Sequence, residues 1–105
     1  MTIESARETL ARAFWLGPFG DFLTLEDGAS PRTVEAYGRD LTRFADYSLT
    51  KGAHAPEEVG STTLRSYIYH LKDLGLAPSS IRRNISALRT YYKFLLNEGH
   101  VVRDP

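Results

Sequence analysis

Apolar residues recur in steps of three, four and seven along much of the chain. In SPRTVEAYGRDLTRFADYSL they are Val34, Tyr37, Leu41, Phe44 and Tyr47. In APSSIRRNISALRTYYKFLL they are Ile81, Ile85, Leu88, Tyr92 and Leu95. This is the period of an amphipathic helix, not the period of two of a strand. Both segments carry a start signal. Ser30 precedes Pro31, an N-cap residue followed by proline at the first helical position; Pro78 is followed by two serines. Between them, GSTTLRSYIYHLKDLG offers Ser61 or Thr62 as a cap, Leu64, Ile68, Leu71 and Leu74 as a buried stripe, and Gly75 as a left-handed stop. TKGAHAPEEVGS reads as a loop. Ser5 to Leu25 is expected to be helical, broken or kinked at Gly17, Pro18 and Gly20 in LGPFGD. No stretch alternates long enough to build a sheet. Four helices with short loops predict an all-α bundle.

Composition narrows the picture. The chain has 105 residues, 42% hydrophobic and 25% charged, the balance of one globular domain. It has no cysteine, so disulfides, thiolate chemistry and zinc-thiolate sites are excluded, and a reducing cytoplasm is the expected setting. No apolar run approaches the roughly 20 residues that span a bilayer, so no membrane partner is expected. The N-terminus lacks the basic-then-apolar order of a secretory signal.

A net charge of zero conceals an asymmetry. Residues 1–29 carry two cations and five acids, whereas residues 74–105 carry five cations and two acids. From Leu74 to Asn97 there is no acid at all, yet Arg82, Arg83, Arg89 and Lys93 fall inside. At about 100° per residue, Ser79, Arg83, Ser86 and Thr90 form one row of the last helix. Arg82, Arg89 and Lys93 form a second row beside it, and both face away from the apolar stripe. Phosphates accept hydrogen bonds from hydroxyls, guanidinium groups and the free N–H groups of a helix start. Ser79 and Ser80 lie at such a start, and Arg83 suits either a phosphate or a guanine edge. Ser30, Arg32 and Thr33 repeat the arrangement at the other proline-led helix. A solvated helix face also carries Arg and Lys. The acid-free run and the second, similar helix start favour a nucleic-acid surface over that plainer reading.

The residues quoted carry a family resemblance. Ser30, Thr33, Tyr37, Asp40, Leu41 and Phe44 in one helix, with Pro78, Ser80, Ile81, Arg83, Ser86, Leu88, Arg89, Tyr92 and the exit Asp104-Pro105 in another, form an ordered set. It resembles the N-terminal core-binding domain of tyrosine recombinases of the Xer and phage-integrase type, over roughly residues 21–105. Residues 1–20 fit less well and read as a partly helical N-terminal extension. The resemblance implies a four-helix SAM-like bundle that grips duplex DNA beside the strand-exchange site. It implies partners too: double-stranded DNA, the catalytic domain of the same enzyme and other recombinase protomers. Carried over, DNA contacts fall on Arg32, Thr33 and Ala36 of the first surface, and on Ser79, Ser80, Arg82, Arg83 and Ser86 of the second. Arg89 and Lys93 are more distant contacts with the flanking backbone.

Catalytic chemistry is not expected within these residues. The family's nucleophilic tyrosine and its Arg, His and Lys partners belong to a second domain. Here Tyr37, Tyr47 and Tyr92 occupy apolar stripes, and Tyr67, Tyr69 and Tyr91 are expected to cover the rim of the core with hydroxyls in water. His54, His70 and His100 lack metal-ligand spacing, and no cofactor is implied. Two other readings compete. One is a helical protein-interaction module docking through exposed Phe14, Trp15 and Phe19. The other is a helix-turn-helix repressor, disfavoured because no short helix leads through a tight turn into the long basic one.

Overall fold

The computed structural model describes residues 2–105 and is built of helices. Helix α1 spans Ile3–Ala13, α2 Leu16–Leu25, α3 Pro31–Thr50, α4 Ser61–Asp73 and α5 Pro78–Asn97, with one 3-10 turn at Pro56–Glu58 between α3 and α4. The two proline-led helices begin as expected. Ser30 caps α3, its Oγ accepting the Thr33 N–H at 3.2 Å, and Pro31 follows at the first helical position. In α5, Ala77 is the N-cap residue and Pro78 opens the helix, with no side chain capping the end. Helix α4 is capped by Gly60 rather than by Ser61 or Thr62. Leu74 is its C-cap residue, and Gly75, at φ 81°, turns the chain out of the helix in a conformation that glycine adopts without steric cost.

Among the described residues the bundle has five α-helices where the sequence pattern suggested four, because the N-terminal region folds as a helical hairpin. The break lies at Phe14-Trp15, just upstream of the glycines. Trp15 takes a left-handed φ of 58°, which costs a non-glycine residue about 1–2 kcal/mol. Its ring stacks on His100, with centroids 3.7 Å apart and planes 6° from parallel. Helix α2 then continues through Gly17, Pro18 and Gly20. Pro18 is tolerated because it falls in the first turn, where a backbone N–H has no intrahelical acceptor to lose.

Phe44 of α3 is the centre of the core. Its ring meets those of Phe14 at 6.2 Å, Tyr67 at 5.4 Å, and Tyr91 and Tyr92 at 6.3 Å each, all edge-on. This is the geometry that the ring quadrupole favours. Phe14 and Phe19 are enclosed and Trp15, 36% exposed, stacks on His100, so only one of the three residues expected to form a docking patch reaches the surface. Tyr67 and Tyr91 are likewise core residues and not rim residues; of the expected rim only Tyr69 is exposed. Burial is possible because their hydroxyls find partners. The Tyr91 OH donates to the Phe14 carbonyl at 2.6 Å and the Tyr92 OH to the Pro56 carbonyl at 2.9 Å. The Tyr67 OH makes longer contacts, 3.4 Å to the Asp40 carbonyl and 3.5 Å to Asn84 Oδ1.

Burial pushes the Tyr67, Tyr91 and Tyr92 phenols well above their ordinary value. A phenol held neutral in the fold gives its full stabilisation below about pH 10, and loses it as the pH rises further, because only the unfolded chain then ionises freely. Alkali above about pH 10 is therefore expected to unfold the domain cooperatively. Tyrosinate absorbance from the three buried rings should appear together with loss of helical circular dichroism, not before it. Tyr91→Phe leaves the Phe14 carbonyl unpaired and should cost about 1–3 kcal/mol in urea unfolding.

Candidate nucleic-acid interface

The last helix turns a different face to the core than its apolar stripe suggests. Asn84, Ala87, Tyr91 and Phe94 join Leu88, Tyr92 and Leu95 as buried residues, while Ile81 and Ile85 are only half-buried. The buried sector is rotated by roughly 60° relative to the Ile81-Ile85-Leu88 stripe. Small Ala87 and polar Asn84 stand out little in an apolar pattern, yet both are buried. The rotation carries the Ser79-Arg83-Ser86-Thr90 row towards α3.

Arg83 consequently reaches a carboxylate that its own helix lacks. Asp40 of α3 is buried, with 2% of its side chain exposed, and both its oxygens are used by Arg83: Nε donates to Oδ2 and Nη2 to Oδ1, each at 2.8 Å. The paired carboxylate raises the guanidinium's affinity for its proton above the ordinary value, chiefly through these hydrogen bonds. Arg43, one turn along α3, places Nη1 3.8 Å from the same carboxylate. The expectation that no acid neutralises the Arg83 face is thus corrected. Counting acids within Leu74–Asn97 missed one supplied from 43 positions earlier in the chain.

The other expected residues stand as follows. Arg82, Ser86 and Arg89 are exposed on α5, and neither arginine has a carboxylate partner among the described residues. Ser79 is exposed. Ser80 is half-buried, and its carbonyl accepts from Asn84 Nδ2 at 2.8 Å. Arg32 is exposed at the start of α3, and the hydroxyl of half-buried Thr33 accepts from the Ser30 hydroxyl at 3.1 Å. Helices α3 and α5 run in the same sense from their ion pair. Asp40 meets Arg83, and further along both helices Phe44 meets Tyr91. Both N-terminal turns therefore lie on one side of the Asp40–Arg83 contact. In the first turn of α5, Ser79 and Ser80 have N–H groups with no intrahelical acceptor, where the helix dipole favours an anion.

Sequence reasoning missed Arg43. It belongs to an α3 face where Glu35 and Asp40 interrupt the cations, so the local pattern looked neutral. Glu35 is taken by Arg39 at 2.8 Å, one turn along, and Asp40 faces inward. Among the described residues no group of three or more His, Cys, Asp or Glu side chains lies together as a metal site, and no helix is long and apolar enough to cross a membrane.

An all-helical bundle of this kind, with a basic, hydroxyl-lined helix start, defines a class, and comparison with known proteins names it. The chain belongs to the phage integrase N-terminal SAM-like domain family, whose model matches residues 17–99. It is 43% identical to tyrosine recombinase XerD of Bradyrhizobium diazoefficiens, covering 85% of this chain and 28% of that protein. It is 33% identical to tyrosine recombinase XerC of Chlorobaculum parvum, covering 100% of this chain and 34% of that protein. It is 40% identical to tyrosine recombinase XerD of Chlorobaculum tepidum, covering 86% of this chain and 29% of that protein. No solved structure matches. The chain spans about a third of the length of these relatives or less, and corresponds to their N-terminal domain, not to the catalytic one.

The ion pair gives Arg83 and Arg82 different weights in stability. Arg83→Ala strands a buried carboxylate, although Arg43 remains near it and the pair is partly solvated, so a loss of about 2–3 kcal/mol is expected. Arg82→Ala, on the open face, should stay within about 0.5 kcal/mol of wild type. Urea unfolding of the two variants side by side measures the difference.

Proposed function

We propose that this domain grips duplex DNA as the DNA-binding part of a site-specific tyrosine recombinase, beside the site of strand exchange. One observation carries the reading: α3 and α5 start on the same side of their ion-paired contact, each start lined with hydroxyls and cations. A duplex groove offers phosphates on both walls, and two helix starts on one side of the domain give it two places to meet them. In this reading Arg32 and Thr33 of α3 meet one strand. Ser79, Ser80, Arg82, Arg83 and Ser86 of α5 meet the other, and Arg89 reaches the flanking backbone. Further partners are the catalytic domain of the same enzyme and neighbouring recombinase protomers on the DNA. The tyrosine recombinase activity for which the relatives are named and a cytoplasmic setting, consistent with the absence of cysteine, belong to the same reading.

Binding by this domain alone should be weak and strongly dependent on salt, because the chain as a whole is neutral. Fluorescence anisotropy of a labelled duplex, titrated at several salt concentrations, measures it. Arg82→Gln and Arg89→Gln should each reduce the slope of log affinity against log salt by about 0.9, with the same loss on every duplex sequence tested. An absence of duplex binding at low salt, or a slope near zero, contradicts the proposal.

A further inference from the structure

Asp40 does more than neutralise one arginine. Two guanidinium groups, one from each helix of the candidate interface, converge on it: Arg83 through two 2.8 Å hydrogen bonds and Arg43 at 3.8 Å. The carboxylate is buried, but the arginines are not; their side chains are 39% and 38% exposed. A guanidinium has five N–H donors, and the bidentate pair occupies one edge of Arg83, leaving Nη1 without an acceptor among the described residues. Beneath the pair, the Tyr67 hydroxyl lies 3.4 Å from the Asp40 carbonyl and 3.5 Å from Asn84 Oδ1, and Arg43 acts on the same phenol, so the cluster is closed on its inner side and open to solvent at its arginines. The cluster carries one negative and two positive charges, and its negative charge is the part hidden from solvent.

We propose that Asp40 is a positioning residue that holds Arg43 and Arg83 together as a paired guanidinium clamp for a single backbone phosphate of duplex DNA, with Arg43 as a contact residue in its own right. The proposal rests on the DNA-binding reading above. The physical reason is preorganisation. An unpaired arginine must give up rotamer freedom to meet a phosphate, whereas Arg83 is already held by two hydrogen bonds and Arg43 is drawn towards the same carboxylate. Two planar forks side by side match the oxygens of one phosphate. Arg83 lies on the same row of α5 as Ser79 and Ser86, one turn away in each direction, so the clamp continues the hydroxyl-lined surface and carries it onto α3.

The test exploits a conflict of signs. Asp40→Asn has nearly the same shape and makes the protein more positive by one charge. If Asp40 acted only through its charge, its removal would tighten binding to a polyanion. If it positions the two arginines, duplex affinity should fall about tenfold, and the salt slope should decrease by about 1–2 despite the added positive charge. Arg83→Lys and Arg43→Lys keep the charge and lose the fork, and should weaken binding several-fold. Arg43→Gln should reduce the slope by about 0.9. Far-UV circular dichroism of each variant reports folding; if Asp40→Asn does not fold, the two lysine variants and Arg43→Gln decide the question. Unchanged or tighter binding by folded Asp40→Asn, or wild-type affinity and slope in both Arg43 variants, overturns the clamp while leaving DNA binding intact. A wild-type domain that ignores duplex at low salt overturns the DNA reading and the clamp with it.

Discussion

The buried carboxylate of Asp40 is the constraint on which the arrangement of α3 and α5 depends. A carboxylate removed from water is costly unless its oxygens are hydrogen-bonded and its charge is met. Arg83 meets both demands at once, and it does so from another helix. Sliding or rotating α5 against α3 would break two charge-assisted bonds together, so the pair favours one register. Its net contribution to stability is modest, since desolvation offsets much of the attraction. Its effect on geometry is larger, because a bidentate pair tolerates little change of angle.

Aromatic packing extends that register through the rest of the fold. Phe44 lies one turn beyond Asp40 on α3 and meets rings from the turn between α1 and α2, from α4 and from α5. The N-terminal hairpin is joined to this centre by rings, with Phe14 against Phe44 and Phe19 against Tyr91, and by two further contacts. Tyr91 donates to the Phe14 carbonyl, and Trp15 stacks on His100 just after α5. The left-handed Trp15 is strained only locally, and the same turn delivers Phe14 into the core and the indole onto the imidazole. From the region read as a partly helical N-terminal extension, Phe14 and Phe19 enter the core.

Helix identity was legible in the sequence wherever local chemistry decides it. Ser30-Pro31, Pro78 and Gly75 mark boundaries through capping and backbone preference, which act within a few residues. What the sequence hid is what distant residues decide. The apolar period of α5 pointed to Ile81 and Ile85, but its buried sector is set by the neighbours that Asn84, Ala87 and Tyr91 meet. Tyr67 and Tyr91 looked like rim residues because nothing local shows that Asp40, Asn84 and the Phe14 carbonyl would receive their hydroxyls. Gly17, Pro18 and Gly20 advertised a break, yet the helix tolerates them and breaks at Trp15, where tertiary contacts outweigh propensity.

The same distinction governs the electrostatics. The run free of acids from Leu74 to Asn97 was legible, and Arg82 and Arg89 remain without carboxylate partners among the described residues. Arg83 is the exception, because an acid can arrive from anywhere in the fold. Its pairing does not erase the positive face, since burial affects the two partners unequally. Asp40 spends its charge inside the protein, on two arginines that remain half in water. A neutral chain can thus present a cationic surface without an excess of cations, by placing an acid beneath that surface and leaving the guanidinium edges above it.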